Sequence, residues 1–170
     1  MGAKVRRAFV LANKYFLETL RDDQAASVID LPIGDSGFTS LAGHAHCLLV
    51  TYRKDGRPVA QPVWPGFDGD TAYVWTEVNA MKAKRLRSHP KALLAPCTFR
   101  GRPIGSPIAA TGRVLESESE RNHAAAVIDA SWGWKRKAFA WASRPLTEVH
   151  YLQFVPAGAT SEDAPGSNPA

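Results

Sequence analysis

The residues of this chain best equipped for chemistry are cations at helical spacing. In the stretch from Trp75 to Pro90, WTEVNAMKAKRLRSHP, Lys82 and Arg85 stand three apart, which on a helix places them on one face. Asn79 is a favoured N-cap residue and Pro90 sits where a helix must stop, so the pattern predicts a short helix between them. First-turn N–H groups of such a helix lack intrahelical partners, and the macrodipole adds partial positive charge there. Helix end, ammonium and guanidinium together suit a phosphate. Ala83 and Leu86, also three apart, are expected to face inward. A solvated basic face, or a weak nucleic-acid patch, is the plainer alternative for the same residues, and the segments around it have to decide.

Other constellations carry less. His44 and His46 form an H-x-H pair on one side of a strand, but no third ligand or acidic partner stands near them, so no metal site is expected. Cys47 and Cys97 lie far apart without CxxC spacing, which reads as two buried thiols in a reducing cytosol. His89, His123 and His150 are isolated. Arg113 and Tyr151 are candidates to line a substrate cavity. GxSxG, P-loop and strand-linked GxGxxG motifs are all missing, so hydrolase, NTPase and Rossmann chemistry lack support.

The elements that must position these groups read mostly as strands. Residues 4–22 carry Phe9, Ala12, Phe16 and Leu20 near a 3.6 period, which predicts a helix, and Asp23 to Gly43 reads as loop with one short helical turn. HCLLVTYRKDGRPVAQPVW holds two β-rich runs joined at Asp55-Gly56, a hairpin signal. A second turn at Asp68-Gly69 leads into TAYVWT. After the basic helix, KALLAPCTF is apolar on both faces, as in a strand buried within a barrel. Pro96 inside it marks a bulge or an unpaired edge. IAATGRVLES follows as a fifth strand. Ser117 or Ser119 caps a helix to about Ser131, Gly133–Ala142 forms a further helical piece, and Thr147–Val155 is the sixth strand. The expected fold is mainly β: a six-stranded antiparallel Greek-key barrel with peripheral helices. It divides into 1–40 as N-terminal helix and loop, 41–155 as barrel, and 156–170 as a disordered tail.

The order LLVTYRKDGRPVAQPVW, a DG turn, AYVWTE, KAKRLRSHPKALLAPC, RGRPIG and TGRVLE resembles the split-barrel flavin-binding superfamily typified by pyridoxamine 5′-phosphate oxidase. Within it the K-x-K-R-L-R-x-x-P helix, the LAPC strand and the R-G-x-x-x-G that follows resemble the deazaflavin-dependent branch that uses coenzyme F420. The likeness spans about Leu41 to Leu115. It implies that the cofactor ring lies against the second strand at Gln61, Pro62, Val63 and Trp64, and near Trp75 and Thr76. The phosphate is expected on Lys82, with Lys84 and Arg85 following. FMN-binding members of this fold often have Arg directly before that lysine, where this chain has Met81. F420 carries an internal phosphodiester and an acidic tail, for which Lys84, Arg87, Lys91, Arg100 and Arg102 could spread charge along a groove. FMN is the alternative cofactor.

The resemblance further implies a homodimer with each cofactor at the subunit interface, and reaction by hydride transfer from the reduced deazaflavin to a conjugated carbonyl, quinone-like or tetrapyrrole-type acceptor. No protein acid or base is named. Trp132 to Trp141, rich in aromatics and cations, suits either an interface or ordinary barrel packing. At 170 residues with net charge +5 and pI near 9.4, the chain suits one domain that favours anionic ligands. No membrane span or signal peptide is read, so a cytoplasmic location is expected. A non-catalytic flavin- or F420-binding protein and, more remotely, a nucleic-acid-binding barrel remain as alternatives; no stacking pattern of the kind RNA-binding sheets display supports the latter.

Overall fold

The computed structural model describes residues 23–34, 37–142 and 149–158, with side chains from 132 to 142 left aside. The expected helix over 4–22, the start of the sixth strand at Thr147, the tail from 159 and the side chains of Trp132 to Trp141 lie outside that set.

Turn chemistry sets the first ladder. β1 (Cys47–Tyr52) and β2 (Pro58–Val63) are joined by a turn in which the Arg57 N–H donates to Asp55 Oδ1 at 3.1 Å. The resulting register puts Thr51 opposite Val59 and Leu49 opposite Gln61. β3 (Gly66–Asp68) and β4 (Thr71–Glu77) follow, then α1 (Met81–Ser88), β5 (Lys91–Pro96), β6 (Ile108–Val114), α2 (Glu118–Ala142) and β7 (Val149–Pro156). Two 3-10 helices, Asp23–Asp30 and Phe38–Ser40, precede them.

All ladders are antiparallel, in the order β2-β1-β5-β6-β7-β4-β3. Only Trp64 and Pro65 separate β2 from β3, yet these are the two edges of the sheet. The sheet must therefore curl until its edges meet, and Val63 beside one edge shares a core with Phe67 and Ala72 beside the other. This is a split barrel, with one strand more than expected. The extra strand is β3, because the Asp68-Gly69 turn folds Gly66–Asp68 back on Thr71–Tyr73.

Strand alternation sorts the side chains. Cys47, Leu49, Leu94, Ala110, Leu152 and Phe154 fill the interior, joined there by Ala83 and Leu86 of α1. Burying a Leu or Phe such as Leu94 or Phe154 is worth roughly 1.5–3 kcal/mol each. On the outer face, Leu48, Val50, Leu93 and Ala95 are covered by Ala25 and Val28 of the first 3-10 helix. Tyr73 and Leu115 are covered by Ala124 and Ile128 of α2. Both faces of KALLAP are thus buried, as its composition requires. Cys97 N–H donates to His46 O at 3.1 Å, toward β1. The preceding N, that of Pro96, therefore faces the other way, where β6 pairing has ended at Leu94. That side is not free: the Ile104 N–H donates to Pro96 O at 3.0 Å and Cys97 pairs with Pro103, so the proline sits at an irregular, bulged stretch where its missing N–H leaves no donor unpaired.

One helix expectation narrows and another changes. Ser117 is the cap of α2: the Glu120 N–H donates to its Oγ at 3.3 Å, and its own N–H donates back to Glu120 Oε2 at 3.3 Å, a capping box. The two helical pieces expected on either side of Gly133 are one 25-residue helix. α1 is held close to the barrel because Gly112 of β6 has no side chain; a Cβ there would fall 2.5 Å from the Phe154 ring and 3.0 Å from Leu86.

Candidate functional site

β4 ends at Glu77, and the Ala80 N–H donates back to Glu77 O at 2.9 Å. That tight turn takes up Asn79, so the helix begins at Met81 with Ala80 as N-cap and no side-chain cap bond. Asn79 is therefore not the cap its type suggested. The chain leaves the helix as expected: His89 N–H donates to Arg85 O at 2.8 Å, and Pro90 prevents continuation.

Lys82 and Arg85 share the helix face that looks onto the sheet. Arg85 Nε donates to Thr51 Oγ1 at 2.7 Å, and its Nη2 approaches Gln61 Oε1 at 3.4 Å. One guanidinium thus spans from helix to β1 and on to β2. Thr51 is 1% exposed, so its hydroxyl is a fixed anchor. Burial lowers the pKa of Arg85, and the nearby charge of Arg53 adds to the shift. Lys82 keeps part of its stem in solvent, but its ammonium end is sunk. Burial pulls its pKa from 10.5 to about 8, Arg85 adding to the shift and Glu77 opposing it. Among the described residues no hydrogen bond or ion pair reaches that ammonium. A desolvated, unpaired cation next to a fixed guanidinium is a site in want of an anion.

The edge of β2 offers a second kind of contact. Arg53 N–H donates to Arg57 O, so by alternation residues 58, 60 and 62 direct their main-chain groups away from β1. Pro58 and Pro62 have no N–H to leave unpaired there, which is why an edge strand tolerates them. Among the described residues no strand pairs with this edge, which shows carbonyls at 58, 60 and 62 and, among those three, the single N–H of Ala60.

The residues expected to meet the cofactor divide by strand parity. Gln61 and Val63 lie on the interior face with Thr51, and Thr76, 5% exposed, shares that face on β4. Pro62 lies on the outer face. Trp64 follows β2 and sits among the rings of His46 and Phe99. Trp75 packs against the cluster beneath α2, with Tyr73 and Ile128. Lys84 is exposed. The structure thus joins Arg85 to Gln61 and sets Lys82 one turn before, while Pro62, Trp64, Trp75 and Lys84 stand apart from that contact. Arg87, Lys91, Arg100 and Arg102 are exposed. A cleft of about 180 Å³ lined by Tyr52, Arg53, Gly56, His89 and Lys91 opens at the Tyr52 end of β1, whereas Arg100 and Arg102 lie beyond the other end of that strand.

Sequence reasoning missed Thr51 and Glu77. Thr51 could have been found: the Asp55-Gly56 turn sets a register in which it is the one polar inward position of CLLVTY. Arg113, a cavity candidate, is instead held to Glu120 at 2.6 Å and to Gln153 Oε1 at 2.7 Å, and Tyr151 packs under α2. Cys47 and Cys97 are free and buried, and burial pushes both thiols up to about 12. Among the described residues no group of three His, Cys, Asp or Glu side chains could hold a metal. None of their helices is long and apolar enough to cross a membrane.

Residues 38–157 match the family model described as Pyridoxamine 5′-phosphate oxidase. No curated protein matches the chain. Among solved structures, the heme storage protein HutZ from Vibrio cholerae is similar with a TM-score of 0.54 and 14% identity, over 70% of this chain and 87% of that one. A putative 5-nitroimidazole antibiotic resistance protein from Bacteroides thetaiotaomicron gives 0.53 and 12%, over 70% and 76%. A conserved hypothetical protein from Mycobacterium tuberculosis gives 0.51 and 11%, over 81% and 85%. These identities speak for the fold alone.

Proposed function

This chain belongs to the pyridoxamine 5′-phosphate oxidase family, and on that premise we propose that it is an F420-dependent oxidoreductase acting on an organic acceptor. The observation that carries the reading is the sunken, unpaired ammonium of Lys82 beside the fixed guanidinium of Arg85. An internal phosphodiester matches this pair: an ammonium and a planar fork each take one anionic oxygen without needing a third donor. Met81 is 58% exposed and adds no guanidinium where FMN-binding relatives often have one.

In this reading Lys82 and Arg85 bind the phosphate, with Lys84 adding charge from the solvent side. The Pro62 carbonyl at the β2 edge, the Gln61 and Val63 side chains on the interior face and Trp64 at the strand end orient the ring, and Thr76 closes the far end with Trp75 behind it in the cluster beneath α2. Reduced F420, when bound, supplies hydride-donating chemistry. The chain's part is to hold the tail by charge, fix the ring plane and exclude water. A homodimer that completes the site at its interface belongs to the same proposal.

FMN is the second reading, favoured by the same phosphate pair and disfavoured by Met81. Fluorescence titration of the purified protein with F420 and with FMN separates them. Tighter F420 binding that is lost in Lys82→Ala supports the proposal; preference for FMN replaces it; binding of neither ends it. A holding role without catalysis is tested by supplying reduced F420 and candidate acceptors, and watching whether the deazaflavin absorbance returns.

A further inference from the structure

Three aromatic rings gather at the opposite end of β1 from Arg85. His46 precedes β1, Trp64 follows β2, and Phe99 lies just beyond β5. The antiparallel register brings these three strand ends side by side, since Cys47 is opposite both Val63 and Pro96. His46 stands edge-on to both other rings, 5.5 Å from Phe99 and 6.1 Å from Trp64 between centroids. Trp64 and Phe99 are close to parallel, at 23° and 6.4 Å. Cys47 and Thr51 are four residues apart, so about 13 Å separates this box from the Arg85 anchor along the strand.

The box is not spent on the core. Phe99 is 53% exposed and Ile104, on the same loop, 54%. The loop is nevertheless well built. Thr98 N–H donates to Arg102 O at 2.9 Å, Gly101 N–H to Thr98 O at 2.9 Å, and Arg102 N–H to Thr98 Oγ1 at 3.1 Å. Gly101 has φ of 84°, a conformation that a side chain would strain. A turn this closely bonded presents Phe99 in a fixed place and carries Arg100 and Arg102 with it, both exposed. Ring faces bind flat conjugated molecules, and guanidinium groups bind carboxylates. Burial lowers the pKa of His46, which disfavours the charged imidazolium.

We propose that His46, Trp64, Phe99 and the Arg100–Arg102 turn form the acceptor site, and that the acceptor is a flat conjugated ring system bearing a carboxylate. The assignment to an acceptor rests on the reading above in one respect: Trp64 ends the strand whose edge is assigned to the cofactor ring. The site itself does not need that reading, because its rings and charges are present without a cofactor.

Calorimetric titration tests it with 2-naphthoate, 2-naphthylmethanol and cyclohexanecarboxylate, which offer ring and charge, ring alone and charge alone. The expected result is that 2-naphthoate binds most tightly, at least fivefold better than either analogue. Phe99→Ala should weaken it fivefold or more. Arg100→Ala with Arg102→Ala should reduce it to the level of 2-naphthylmethanol, and Lys54→Ala, an exposed lysine in the turn at the other end of β1, should leave it unchanged. Phe99, Arg100 and Arg102 are all exposed, and an unchanged melting temperature confirms an intact fold. Equal binding of all three probes, or an undiminished affinity in Phe99→Ala, overturns the proposal. So does a Phe99→Ala protein that dissociates into monomers without any change in probe binding, since the patch is then a subunit contact. If F420 and FMN both fail to bind while 2-naphthoate behaves as expected, the site stands and the cofactor reading falls.

Discussion

Arg85 is tied to Thr51, 34 residues earlier in the chain, by an Nε–H···Oγ1 bond of 2.7 Å. The bond fixes the guanidinium at the mouth of the barrel before any ligand arrives, so less ordering remains for binding to supply. Thr51→Val keeps the side-chain shape but removes the acceptor. Affinity for F420 is expected to fall roughly three- to tenfold, in line with one neutral acceptor lost from a charged donor. A fluorescence titration reads this, and unchanged affinity would mean that Arg85 is not a ligand-holding group.

The ammonium of Lys82 should matter more than that of Lys84. A charge-assisted bond to a phosphate is worth about 1.5–3 kcal/mol, or roughly ten- to a hundredfold in affinity. Lys82→Ala is expected to lose that much, whereas Lys84→Ala, on the exposed side, should stay within about threefold at moderate salt. Equal losses in the two variants would place the phosphate elsewhere on the helix.

The depressed pKa of Lys82 makes two opposite pH dependences. In the unfolded chain this lysine titrates near 10.5, in the folded protein near 8. Between these values the unfolded state binds more protons, so stability should rise with pH across that window, the burial penalty being fully present below pH 8. Affinity for a phosphate should run the other way and decline as the ammonium loses its proton above about pH 8. Denaturation midpoints and ligand titrations from pH 7 to 10, compared with Lys82→Met, check both. If the variant tracks the natural protein in either measurement, the lysine is not the titrating group.

Gly66 lets α2 sit directly on β3. A Cβ at this position would fall 2.7 Å from Ile128 Cα and 2.9 Å from its N, and helix backbone does not yield as a flexible side chain does. Gly66→Ala should destabilise by about 1–3 kcal/mol or more. For a chain of this length that lowers the melting temperature by several degrees, on the order of 2–4 °C per kcal/mol.

Much of this was legible in the residues. The Asp55-Gly56 turn, the two-faced apolar run KALLAP and the Lys82–Arg85 spacing each rest on local chemistry, and each is found where it was read. What escaped depends on the partner. Asn79 is a good cap by type, yet the end of β4 fixes where the helix can start. Gly66–Asp68 is too short to show a period and becomes a strand only by pairing with β4. Gly133 is a helix-weakening residue, but α2 runs through it. Trp75 and Thr76 are neighbours in sequence, yet strand alternation sends them to opposite faces. Thr51 is one polar residue among apolar ones until Arg85 arrives from a helix whose angle no local pattern specifies.

Pro58 and Pro62 have a consequence beyond any ligand. An exposed strand edge is a template on which a second chain can add a strand and begin a fibril, and such growth needs donors as well as acceptors. Along β2 two of the three outward positions lack an N–H, and the other edge, β3, is three residues long. The barrel can therefore keep its seam open without inviting neighbours to pair with it. Replacing both prolines by residues with an N–H would restore the donors, and the first change to look for is precipitation in concentrated solution.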